Sequence, residues 1–233
     1  MLIFNIVVLI KSIISTKKLI IIRIMSYIVT TNNIEINDFF YKRTDYPFGK
    51  SWEKWAEDWW RYVMSIPKSQ SPGLDHDGSK FDLFSNTNEM VLFFVGTYGG
   101  SAERYCQIRS NKAIFGPIMN YICSFAENPK IISETELKDH VRKDADDFKN
   151  MEFVLNRQKL NNIEYYRIDT DIFDLFCVNN NPFNIPSGVT KAVCSGYYFF
   201  LKPLSQGFYD IRVQGSCSLG ETKVDVIWHL NVV

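Results

Sequence analysis

The sequence predicts a mainly β protein: an antiparallel β-sandwich or jelly-roll-like single domain with a tryptophan-rich helix and one inserted surface helix. Three observations carry this. From residue 151 onward the apolar pattern has a period of two, over 152–156, 164–168, 172–178, 190–194, 197–201, 208–214 and 222–232. Turn-forming segments, Ser205-Gln206-Gly207 and 215–220, join consecutive stretches. Helical spacing is confined to two short segments elsewhere.

Residues 1–30 form an apolar, basic leader. Residues 1–24 hold Lys11, Lys17, Lys18 and Arg23 and no acid, so the overall balance of 26 basic and 26 acidic residues hides a domain with four surplus acids. An uncharged apolar run precedes the first lysine, and Arg23 interrupts the second run, so neither fits an export signal or a full membrane span cleanly. Three readings stay open: a weak signal or anchor, an ordered part of the fold, or a true start at Met25. The remainder, 31–233, reads as one domain, long enough to bury roughly 70% of its unfolded surface.

A helix is predicted over 51–66. Trp52, Trp55, Ala56, Trp59, Val63 and Ile66 share one face, Ser51 is the N-cap, and Pro67 stops the helix. Core packing is the expected role of the face, and Trp60, about 100° from Trp59, is expected to be the most exposed tryptophan. Residues 68–89 are a polar loop. Strands are predicted at 90–95, buried on both faces, at 104–109, and within 112–125, with a break near Gly116-Pro117. Ser133-Glu134-Thr135-Glu136 is a capping box, and Leu137, Val141, Ala145 and Phe148 continue at helical spacing, giving a surface helix over 134–149. In 222–232, Val224, Val226, Trp228, Leu230 and Val232 face a core while Lys223, Asp225, His229 and Asn231 face water.

Chemistry is sparsely signalled. Balanced charge argues against nucleic-acid binding, which needs clustered Lys and Arg. No zinc spacing, phosphate loop or Gly-x-Ser-x-Gly elbow occurs, so no cofactor is implied. Asp75-His76-Asp77-Gly78-Ser79 has two readings, an Asx-type turn and a loose calcium loop. An EF-hand fails, because Gly73 and Phe84 stand where ligands would be needed. Candidate binding residues are Trp60, Asp75, Asp77, Glu103 and Arg104. The five cysteines are Cys106, Cys123, Cys177, Cys194 and Cys217. In an exported chain Cys194 and Cys217 are the preferred disulfide pair, near opposite ends of a two-strand meander. In a cytosolic chain all five are buried apolar groups.

Several segments together resemble a family of uncharacterised, usually exported, β-rich bacterial and archaeal proteins. They are Gly49-Lys50-Ser51-Trp52 with Trp55 and Trp59-Trp60, the run Val91-Leu92-Phe93-Phe94-Val95-Gly96-Thr97, Arg104-Tyr105-Cys106, Asn181-Pro182-Phe183-Asn184-Ile185-Pro186-Ser187-Gly188, and Lys202-Pro203-Leu204-Ser205-Gln206-Gly207 with the closing strand. The resemblance implies one β-rich, often extracytoplasmic domain and no assignable activity. This chain departs from the pattern in three places. The loop Gly78-Ser79-Lys80-Phe81 lacks the family's cysteine, so a bond from Cys106 has no partner there. Ser195-Gly196-Tyr197-Tyr198 replaces Asp-Gly-Tyr-Trp, and no histidine stands near Phe208-Tyr209-Asp210.

The expected function is therefore a non-catalytic, exported or surface-associated binding protein for a glycan or cell-envelope component. If translation starts at Met25, the protein is cytoplasmic; membrane contact is expected only through a retained leader. The alternatives are a hydrolase using paired carboxylates, with Asp75, Asp77 and Glu103 as candidates, and a structural protein that self-associates through sheet edges.

Overall fold

A computed structural model describes residues 35–80, 90–218 and 222–233. The leader and the alternative start at Met25 lie outside the described residues. The described chain is mainly β, with ten strands in two five-stranded sheets and two α-helices.

Helix α1 (Trp52–Met64) begins where its cap predicts. The Ser51 hydroxyl accepts from the Lys54 N–H. The strands are β1 (Val91–Phe93), β2 (Gly100–Ile108) and β3 (Ala113–Ser124). Helix α2 (Glu134–Asp146) follows, its Ser133 hydroxyl accepting from the Glu136 N–H. Glu136 reaches back to the Ile132 N–H, one residue short of a closed capping box. The remaining strands are β4 (Phe148–Leu155), β5 (Gln158–Lys159), β6 (Arg167–Asp169), β7 (Phe173–Cys177), β8 (Gly188–Leu201), β9 (Gly207–Cys217) and β10 (Thr222–Val232).

Sheet A runs β1-β3-β8, with β6 and β7 sharing the far edge of β8. Sheet B runs β2-β10-β9-β4-β5. Alternation along β8 sets the layers. Phe200 meets Trp52 and Trp55 of α1 on one face of sheet A. Phe199 meets Phe153 of β4, in sheet B, on the other. One core therefore runs from α1 through sheet A into sheet B. A small satellite forms where Leu137 and Val141 of α2 pack on Cys123 and Val193.

Five expectations are corrected. The sheets are not wholly antiparallel, because β1 pairs with β3 and β2 with β10 in parallel. In each case the chain leaves for the other sheet before returning, which supplies the long connection a parallel pair needs. Segments 190–194 and 197–201 are one strand, β8, and the expected break near Gly116-Pro117 is a bulge inside continuous β3. Helix α2 ends at Asp146, because Phe148 turns away to open β4. Finally, all four α1 tryptophans are buried, and Trp60, expected outside, is 4% exposed.

Candidate functional site

A cavity of about 230 Å³ opens beside the bulge of β3. Its origin is local. Strand β1 pairs with β3 only as far as Phe93 opposite Phe115, and the Phe94 N–H makes the last bond, to the Phe115 carbonyl. Two residues on, Pro117 has no N–H to continue a ladder. Ile118 is then the extra residue between the pairs Pro117–Tyr198 and Met119–Tyr197. Meanwhile the Val95 and Gly96 carbonyls turn away to the guanidinium of Arg104, accepting from Nη1 and Nη2. Strand β1 therefore peels off β3, and the gap that opens is the cavity.

Its floor is aromatic. Trp59 and Trp60 meet edge to face at 4.9 Å, and Phe183 packs on Trp60 at 5.8 Å and on Tyr98 at 4.7 Å. The Trp59 indole donates to the Phe94 carbonyl at 2.9 Å. The Trp60 indole N–H neighbours the Tyr198 hydroxyl but makes no hydrogen bond. That hydroxyl instead accepts from the Asn120 amide at 3.2 Å, which fixes one polar group on the β3 wall. Val213 and Val224 of sheet B form the opposite wall.

Among the described residues, two carboxylates, Glu127 and Asp144, line the cavity, and no Lys, Arg or His does. Burial raises the Glu127 carboxyl above its ordinary pKa, although the side chain still meets solvent. Asp144, 15% exposed, lies 3.7 Å from His140 Nε2, with the Tyr121 phenol close by. Burial first, and then the nearby Cys123, Glu127 and Asp144, push the Tyr121 phenol up.

A second arrangement lies on the outer face of sheet B. Register places His229 opposite Asp210 on β9 and Tyr105 on β2, with Glu103 two residues away on the same face. His229 Nδ1 is 2.6 Å from Asp210 and Nε2 is 2.8 Å from Glu103. Carboxylates accept, so both bonds form together only when both ring nitrogens carry hydrogen. Tyr105, 61% exposed, stacks on the imidazole at 4.6 Å and donates to Glu103 at 3.1 Å. Hydrogen bonds from His229, then Tyr105, hold the Glu103 carboxyl below its usual range. Arg212 and Asp225 form a bidentate pair on the neighbouring strands.

The sequence-predicted candidates scatter among these features. Trp60 lines the cavity and Glu103 belongs to the His229 cluster. Asp75 and Arg104 are buried framework. The Asp75 carboxylate accepts from the N–H groups of Asp77, Gly78 and Lys80, so the loop closes as an Asx-type turn. Asp77 is exposed, and bonds from Ser79 hold its carboxyl at about 2. Gly78 has a left-handed φ of 98°, and a Cβ there would lie 2.8 Å from the Tyr105 carbonyl, so the loop can lie against edge strand β2. Among the described residues, no three His, Cys, Asp or Glu side chains group as metal ligands. Tyr98, Asn120, Glu127, Asp144 and Phe183 carried no local signal, because five separate segments bring them together.

The strands bearing Cys194 and Cys217 are not the expected meander. β8 lies in sheet A and β9 in sheet B, and none of the five cysteines forms a disulfide. Burial pushes Cys123 and Cys194 up to about 12, and Cys177 also upward. Only Cys217 is half-exposed. Iodoacetamide at about pH 8 will therefore alkylate one thiol per native chain, and all five after unfolding. Peptide mass mapping that finds a second label on native protein would contradict this burial.

No helix among the described residues is long and apolar enough to cross a membrane. No protein-family model, curated protein or solved structure matches the chain.

Proposed function

We propose that the protein is a non-catalytic binding protein built on a β-sandwich, and that its ligand is a small molecule held in the cavity beside β3. The observation that carries this reading is the cavity, aromatic at its floor and edged by a few convergent polar groups, which is the usual form of a small-molecule site. At about 230 Å³ it falls below the roughly 300 Å³ where drug-sized pockets begin, so the ligand is small. Catalysis by Asp75 and Asp77 is disfavoured, because the Asp75 carboxylate is engaged by backbone N–H groups.

A second reading, a glycan on the outer face of sheet B, is favoured by the exposed Tyr105 ring beside Glu103, His229 and the Gln107–Asn231 amide pair. One experiment separates the two. A small-molecule library and a glycan array are screened with the parent chain, with Val224→Trp, which fills the cavity, and with Tyr105→Ala, which strips the platform. Binding lost in Val224→Trp alone supports the cavity. Binding lost in Tyr105→Ala alone supports the glycan face and overturns the cavity reading.

A further inference from the structure

We propose that the cavity selects an organic cation: a small ammonium with an apolar or aromatic body. This rests on the cavity being the binding site and adds the chemical class of its ligand. The groups around the cavity divide by chemistry. Trp59, Trp60, Tyr98 and Phe183 supply aromatic surface, which attracts cations through the negative face of each ring. Among the described residues, Glu127 and Asp144 are the only charged lining groups, and both are acidic. Around Asp144, the Tyr121 phenol lies close by, and His140 stands at a loose 3.7 Å. Glu127 makes no ion pair among the described residues. An anion placed here would meet two carboxylates and, among the described lining residues, no Lys, Arg or His. A neutral ligand would bury aromatic contacts but leave the largely buried Asp144 carboxylate with no close cation beyond the loose His140 contact. A cation satisfies the rings and the carboxylates at once.

Phenyltrimethylammonium and tert-butylbenzene test this directly, because they share a shape and differ in charge. Titration of the full chain with each, followed by tryptophan fluorescence and calorimetry, should show the ammonium binding at least about tenfold more tightly. In Glu127→Gln the preference should fall several-fold, while tert-butylbenzene affinity stays unchanged and reports an intact cavity. Asp144→Asn provides the second arm on the other carboxylate. Equal affinity for the two probes overturns the cation inference and leaves the cavity reading standing. A preference undiminished in both variants also overturns the inference, since the carboxylates would not be its source. If neither probe binds at millimolar concentration, the cavity reading fails as well.

Discussion

Replacing Arg104 by alanine will destabilise the protein by about 3–5 kcal/mol, and the cavity beside β3 will lose its shape in the same variant. The guanidinium is 1% exposed and lies over the Trp228 ring. Its donors go to main-chain carbonyls: Nε to Asp75, Nη1 to Val95 and Nη2 to Gly96. Burial lowers the Arg104 pKa, and the nearby Asp75 carboxylate offsets part of that effect. Truncation removes the guanidinium donors from the Asp75, Val95 and Gly96 carbonyls, costing about 1–3 kcal/mol for the buried Val95 carbonyl alone, and adds a void over Trp228. Asp75 anchors the loop and Val95-Gly96 forms one cavity wall, so one side chain ties the two together. Arg104→Met keeps much of the packing and removes every donor, so it should recover only a minor part of the loss. Urea unfolding measures both variants. A cost below about 1 kcal/mol for the alanine variant would show that the carbonyls find other partners and that Arg104 does not hold the wall.

Arg104 also shows why parts of this molecule were legible and others were not. Its burial follows from strand alternation: Glu103 and Tyr105 face water, so Arg104 must face in. The alternation in β10 and the capped starts of both helices were readable for the same reason, since each signal sits within about ten residues. Its function was not readable, because the Asp75, Val95 and Gly96 carbonyls belong to loops whose paths depend on the whole fold. The His229 cluster has the same cause: Glu103, Asp210 and His229 meet only through the register of three strands. The parallel pairs leave no local signal, because their partners are far apart in sequence and joined through the other sheet. Helical geometry alone places Trp60 outside, because it counts one packing face. The loop bearing Phe183 covers a second face of α1, and that cover is a tertiary fact.

Gly196→Ala will cost about 3 kcal/mol, at the upper end of the range for an overpacked site. Ser195-Gly196 lies between the two strands predicted at 190–194 and 197–201. In the fold it lies inside β8, directly opposite Asn120, one pair past the bulge at Ile118. A Cβ on Gly196 would stand 2.5 Å from both the Asn120 Cα and the Met119 carbonyl oxygen. Both are main-chain atoms, so no rotamer change relieves the contact, and β3 must move away from β8 or the bulge must straighten. The bulge sets the cavity wall at Met119 and Asn120, so weakened ligand binding should accompany the lost stability. Gly96→Ala is the matched control: it lines the same cavity, its Cβ would find only Val224 Cγ1 at 4.0 Å, and its cost should stay within about 0.5 kcal/mol. Equal unfolding midpoints for the two variants would mean that β3 yields freely at the bulge. The glycine would then be a dispensable feature of β8, and the cavity wall would be soft rather than built. A large difference in unfolding midpoint ties that glycine to the close approach of two strands and to the gap this approach creates.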